Sequence, residues 1–229
     1  MTIIDTPSPN FDERSLPITM IVLHYTGMQD GASAIARLRD PAAKVSSHYL
    51  VEEDGTVVRM VAEDKRAWHA GASRWRGVED INSASIGIEI VNPGHDFGYR
   101  PFAEPQIAAV ARLVAGIKDR YAITRGNVVG HSDVAPTRKR DPGELFPWST
   151  LAKLRLALPR PTRNLLDPMW TEGGFLLALE RFGYDVSEKM AAIMAFQRRF
   201  RPELIDGEVD AECRMILLAL LLPKPQGDD

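Results

Sequence analysis

Two short runs constrain this chain more than any other feature: MIVLHY (20–25) and SIGIEIVN (85–92). Each is apolar almost throughout and rich in β-branched residues, so each reads as a buried strand. Around them strand and helix patterns alternate. The segment GASAIARLRD (31–40) carries apolar residues at helical spacing, and EPQIAAVARLVAGIKDRYAI (104–123) is an amphipathic helix with Glu104 and Pro105 in its first turn. The segment SSHYLVEEDGTVVRMV (46–61) reads as two strands joined at Asp54-Gly55, a dipeptide of the type I′ turn. A short strand, NVVGH (127–131), leads into a loop, and STLAKLRLAL (149–158) is a closing helix. Strands alternating with helices, plus one hairpin, predict an α/β domain with a mixed central sheet flanked by helices.

The pattern changes near residue 159. LPRPTRNLLDP (158–168) holds three prolines and reads as a semi-rigid linker. Beyond it, EGGFLLALERFGYD, SEKMAAIMAFQRRF and DAECRMILLALL show helical spacing, with Ser187 and Asp210 placed as N-caps. The expected division is an α/β domain over 1–158, a Pro-rich linker over 159–168, a small all-α three-helix domain over 169–222 and a frayed tail over 223–229. Three helices of that size are only marginally stable alone.

The composition, 45% hydrophobic and 26% charged, is that of an ordinary globular protein. A formal net charge of -3 supplies no basic field, so nucleic acid is not an expected partner. The longest apolar run, Met215 to Leu222, is too short for a membrane span. The first residues show no signal-peptide pattern, which points to the cytoplasm, with the periplasm as the alternative. Cys213 is the one cysteine, so no intrachain disulfide forms; its apolar helical setting reads as a packed, inert thiol. Nothing in the sequence asks for more than a monomer.

Chemistry concentrates around GHSDVAPTRKRDPG (130–143). Any one of the five histidines is ordinarily satisfied by a structural hydrogen bond. His24 and His131 differ in position, because each ends an apolar strand, where open α/β sheets place their ligand sites. Asp141 follows His131 closely enough for one loop to bring both to a single ion. Two imidazoles and a carboxylate suit zinc and leave a fourth position open, as catalytic sites do. Glu89 is the second anomaly, a carboxylate in an otherwise apolar strand, costly to bury without a partner. It is either half of a structural salt bridge or a general base that takes a proton from water. Lys139 belongs to a basic run that could be simply solvated, yet in an extended segment it shares a face with Asp141 and could stabilise an oxyanion.

Six segments then resemble one family in order: IVLHYT, SSHYLVEEDGTV, AWHAGASRWRG, NSASIGIEIVN, PFAEPQIAAVARLV and VVGHSDVAPTRKRDPG. Together, over roughly residues 15 to 158, they resemble the zinc-dependent N-acetylmuramoyl-L-alanine amidases of the AmpD/AmiD type. Phage amidases and animal peptidoglycan-recognition proteins are relatives of these enzymes. The resemblance implies one zinc ion per chain on His24, His131 and Asp141, Glu89 as catalytic acid/base, and Lys139 as the cation that stabilises the transition state. Phage and animal relatives carry cysteine where Asp141 stands, which puts this chain on the AmpD-like side. His48, Trp68 and His69 fall within family motifs and are expected on the pocket wall, Trp68 and His69 as the better substrate contacts. His95 matches no motif and is expected at the surface.

The last helices resemble the three-helix peptidoglycan-binding module, most distinctively in AFQRRF and DGEVD. One departure is Cys213, where Thr or Ser often follows the DGxVD step. The implied partners are peptidoglycan fragments, and the implied reaction is cleavage between the lactyl group of N-acetylmuramic acid, ordinary or 1,6-anhydro, and L-alanine. A recognition protein without catalysis is the alternative, although such relatives typically lose a zinc ligand. A peptidase on the same scaffold is a further one.

Overall fold

The computed structural model describes residues 3–162 and 165–222; the expected tail over 223–229 lies outside them. In chain order the strands and α-helices are β1 (Ile3–Asp5), β2 (Phe11–Glu13), β3 (Met20–Tyr25), α1 (Gly31–Arg39), β4 (Tyr49–Val51), β5 (Val57–Arg59), β6 (Lys65–Ala67), α2 (Ile81–Ala84), β7 (Ser85–Ile90), α3 (Gly94–Phe97), α4 (Glu104–Tyr121), β8 (Val128–Gly130), α5 (His131–Val134), α6 (Trp148–Lys153), α7 (Glu172–Phe182), α8 (Lys189–Phe200) and α9 (Ala211–Leu221). Six strands make one sheet in the order β1-β5-β4-β7-β3-β8, while β2 and β6 form a separate antiparallel pair. Only β4 and β5 run antiparallel within the large sheet, so it is mixed, as the sequence predicts.

Both long apolar strands lie in the interior of this sheet, and their two faces do different work. Ile21, Leu23, Ile86, Ile88 and Ile90 pack against Ile107, Val110, Val114 and Ile117 of α4. Each such side chain, fully buried, contributes about 1.5–3 kcal/mol. On the opposite face, Leu50 and Val58 meet Ala34 and Leu38 of α1. Farther along that face, Met20, Val22 and Val129 share a core with Phe175, Leu179, Phe196 and Leu217 of the C-terminal helices.

That last contact changes the picture of a bundle with its own core. Trp75, 2% exposed, is wrapped edge-on by Phe182 and Tyr184 with ring centroids 6.0 and 5.0 Å away. Three short helices offer each other too little apolar surface, and the sheet layer supplies the remainder. The proline-rich segment is also tied down: Arg160 pairs with Glu203 and Glu212, and Asp167 with Arg214 at 2.6 Å.

Three local expectations are corrected. The β4–β5 hairpin turns through three residues, 53–55, closed by Glu52 N–H donating to the Thr56 carbonyl and Gly55 N–H to the Glu52 carbonyl, both at 2.9 Å. A type I′ turn requires positive φ at both central residues, but only Gly55 has it, at 86°. Asp54 instead accepts from Thr56 N–H at 2.8 Å. The closing helix stops at Lys153 rather than running to 158, and Arg155 follows in the left-handed region. Helix α8 is capped by Glu188 through its backbone alone, and Ser187 N–H donates to Asp185. Asp210 does cap α9, accepting from Cys213 N–H at 2.9 Å.

The AFQRRF and DGEVD residues hold one another. Gln197 donates to Asp206 and the Glu208 carbonyl and accepts from Gly207 N–H, while Arg201 pairs with Asp206 and Asp210. Cys213 is fully buried beside them, and burial pushes its thiol up to about 11, as expected of an inert cysteine.

Candidate metal centre and catalytic cleft

His24 is the penultimate residue of β3, and in the adjacent β7 its register partner is Glu89. β8 runs directly into α5, which begins with His131, and the following loop returns to Asp141. Ser132 N–H donates to the Asp141 carbonyl at 2.8 Å and latches the two ends of that loop. These four side chains line one cleft of about 370 Å³, with Trp68, Lys139 and residues of α1 around it.

His24 Nδ1, His131 Nδ1 and Asp141 Oδ2 stand 2.8, 3.1 and 3.0 Å from one another. The hydrogen-bond network fixes which ring nitrogens carry protons. His131 Nε2 faces the Ala70 carbonyl at 3.1 Å, and a carbonyl only accepts, so a neutral His131 presents a bare Nδ1. Behind His24 a longer chain gives the same answer. The Ser85 hydroxyl donates to the Ile81 carbonyl and therefore accepts from His69 Nε2–H at 3.2 Å. His69 Nδ1 is then an acceptor for His24 Nε2–H at 3.0 Å, which leaves His24 Nδ1 bare as well.

Three lone-pair atoms thus converge with no proton among them. Tetrahedral donors about 2.0–2.1 Å from a metal lie about 3.3 Å apart, within about half an ångström of this spacing. The residues fit a divalent metal, and the group is the one His/Cys/Asp/Glu cluster of this kind among the described residues. Burial and the adjacent His131 push His24 down to about 4, so it is a neutral donor at neutral pH.

Glu89 has an oxygen, Oε2, that is buried without a hydrogen-bond partner. Burial, then the Asp141 charge, lifts its carboxyl well above the ordinary glutamate range, and Lys139 opposes them. Of the basic run, Arg138 donates to the Ala70 and Ala72 carbonyls and Arg140 pairs with Asp96. Lys139 forms no ion pair with a carboxylate among the described residues, and its ammonium lines the cleft uncommitted.

Comparison with known proteins now decides the family. A family model described as N-acetylmuramoyl-L-alanine amidase matches residues 14–144. The chain belongs to the N-acetylmuramoyl-L-alanine amidase family. It is 42% identical to the N-acetylmuramoyl-L-alanine amidase AmiD of Escherichia coli, over 89% of this chain and 82% of AmiD. Identity to the 1,6-anhydro-N-acetylmuramyl-L-alanine amidase AmpD of the same organism is 36%, over 68% of this chain and 92% of AmpD. The solved complex of E. coli AmiD with anhydro-N-acetylmuramic acid-L-Ala-D-gamma-Glu-L-Lys superposes with a TM-score of 0.80 at 38% identity, covering 92% of this chain and 91% of that one.

Not every residue anticipated on the amidase's pocket wall faces the cleft. Trp68 does, its indole held by Asp12 at 2.7 Å, and a second hollow of about 450 Å³ adjoins on its other side. His69 touches the cleft but spends both nitrogens on the His24–Ser85 chain. His48 is fully buried, accepts from Gly87 N–H at 2.9 Å, faces the Lys65 carbonyl, and is pushed down to about 3 by burial and Arg14. It has nothing to offer a ligand. His95 is not a surface residue: it bridges Tyr25 and Glu144 at 2.9 and 3.1 Å and stacks on Tyr99.

Ser85 and Gly87 were overlooked. A Cβ on Gly87 would stand 2.4 Å from the His69 ring, so only glycine lets that ring lie over the sheet. The signal was present in SIGIE: the face carrying Glu89 holds Ser85 and Gly87 and no large apolar side chain, which marks the floor of a site rather than a core.

Proposed function

We propose that this amidase hydrolyses the amide between the lactyl group of N-acetylmuramic acid, or its 1,6-anhydro form, and the L-alanine of the stem peptide. His24, His131 and Asp141 would hold one zinc ion, which when bound supplies Lewis-acid polarisation and makes water more acidic. Glu89 accepts a proton from water as its oxygen bonds to the lactyl carbonyl carbon. It then returns the proton to the alanine nitrogen as the C–N bond breaks, leaving a carboxylate and a free amine. The raised affinity of Glu89 for a proton suits both halves of that exchange. Lys139 faces the developing negative charge on the carbonyl oxygen. Trp68 offers an apolar wall for the sugar or the stem peptide.

The observation that carries this reading is the convergence of three unprotonated donor atoms beside a carboxyl with an orphaned oxygen. AmiD's solved complex contains an anhydro-muramyl peptide, which supports the substrate class. We assign residues 1–158 to catalysis, 159–168 to a linker and 169–222 to a helical domain that approaches peptidoglycan. No helix among the described residues is long and apolar enough to cross a membrane. A single, buried cysteine suits a reducing compartment, and recycled fragments in the cytoplasm are the proposed setting.

The test is mass-spectrometric analysis of products from anhydro- and ordinary muropeptides, for the wild type and His24→Ala. The wild type should release intact stem peptide, and His24→Ala should lose both zinc and release. Full zinc occupancy with normal release in His24→Ala would falsify the ligand assignment. Zinc binding without release by the wild type would favour a recognition protein, and cleavage inside the stem peptide a peptidase.

A further inference from the structure

Tyr184 follows α7 and belongs to the C-terminal helices, yet its hydroxyl ends against the turn that carries His131. It donates to Asp133 Oδ1 at 2.6 Å, and Asp133 Oδ2 accepts from Gly130 N–H at 2.7 Å. Asp133 and Tyr184 are each 2% exposed, so neither hydrogen bond can be replaced by water without opening the core. The Tyr184 ring is itself fixed, packed edge-on against Trp75 and stacked on Phe182.

A second approach comes from α8. The buried Arg199 lies over the ring of Trp148, and that ring borders Gly130. A Cβ on Gly130 would meet Pro142 at 2.7 Å, so the residue before His131 is wedged against the residue after Asp141. Val134 and Ala135 continue the same turn into the core shared with Phe175 and Phe196.

We infer that Tyr184 is a positioning residue for the metal: through Asp133 it sets the backbone from which His131 projects, which makes the C-terminal helices part of the metal site. The inference rests on His131 being a metal ligand. It does not depend on any binding of glycan by those helices.

Zinc affinity, measured by competition with a chromophoric chelator on the full chain, tests it, because affinity separates orientation from mere stability. Tyr184→Phe removes the hydroxyl and keeps the ring. Loss of a group supporting a metal ligand costs about 10–100-fold in affinity, so zinc should bind about tenfold more weakly, with kcat lowered and KM unchanged. Ile216→Val, in the same core but remote from Asp133, should lower the melting temperature comparably and leave zinc affinity within about twofold. The inference is overturned if Tyr184→Phe binds zinc as tightly as the wild type, or if Ile216→Val weakens binding as much. A wild type that binds no zinc would instead remove the ligand assignment beneath it, and the inference with it.

Discussion

Glu63 and Glu89 are both partly buried glutamates in one lobe, and their surroundings are opposite. Glu63 takes four hydrogen bonds, from the Tyr49 and Tyr121 hydroxyls and twice from Arg120, at 2.8 to 3.0 Å. Burial alone would raise it, but those donors outweigh burial and hold it below the usual range. Glu89 has no such partner, and burial leads in lifting it well above that range. A buried carboxylate is therefore no mark of a site by itself. The mark is unused bonding capacity aimed into a cavity.

The contrast breaks most easily on activity. Glu89→Gln should retain zinc while kcat falls about 10²–10⁴-fold, whereas Glu63→Gln should stay within about twofold. Equal losses in the two variants would erase the distinction. Lys139→Ala sharpens it next: with fold and metal intact, kcat should drop about 10²–10³-fold, and a change confined to KM would make it a binding residue instead.

Stability should then show opposite signs. Glutamine at 63 leaves Arg120 and the tyrosines facing an amide, so Glu63→Gln should lose about 1–3 kcal/mol at pH 7 by denaturant unfolding. A carboxyl held below its unfolded value of about 4.3 stabilises above that pH and stops doing so as pH falls through its folded value. The deficit of Glu63→Gln should therefore shrink below about pH 4. For Glu89 the sign reverses. Its folded value lies above the unfolded one, so the metal-free protein loses stability as pH rises from about 4.3 through that raised value. Metal-free Glu89→Gln should be more stable than the wild type by about 1 kcal/mol at pH 8 and equal to it near pH 4. A destabilised Glu89→Gln at pH 8 would mean that its carboxylate has a cationic partner.

Most of the lobe's architecture was legible because burial writes itself into composition. β3, β7 and α4 are long enough for their periodicity to speak. β1, β2 and β6 were not legible: each is three residues long, β1 and β2 are exposed, and none has an apolar run to announce it. The turn after β4 was misread because Asp-Gly also serves a three-residue loop in which only glycine needs positive φ. At the site, the five residues singled out for metal binding and catalysis meet in one cleft, since strand ends deliver His24 and Glu89 and one loop delivers His131, Lys139 and Asp141. The roles of His48, His69 and His95 were hidden because a histidine's partners are mostly backbone carbonyls and distant hydroxyls, which no local pattern encodes. The shared core was hidden too, because an amphipathic helix does not say what it packs against.

His24 and Glu89 occupy the same rung of a parallel ladder, on adjacent strands. Strands in a sheet keep about 4.8 Å between them, and a shift of one residue turns every side chain to the opposite face. The distance between metal donor and proton carrier is thus a property of the backbone lattice, inherited at folding rather than found by side-chain motion. Such a ruler tolerates changes of letter far better than changes of length. Over evolutionary time β3 and β7 should accept many substitutions on their isoleucine face and almost no insertions or deletions.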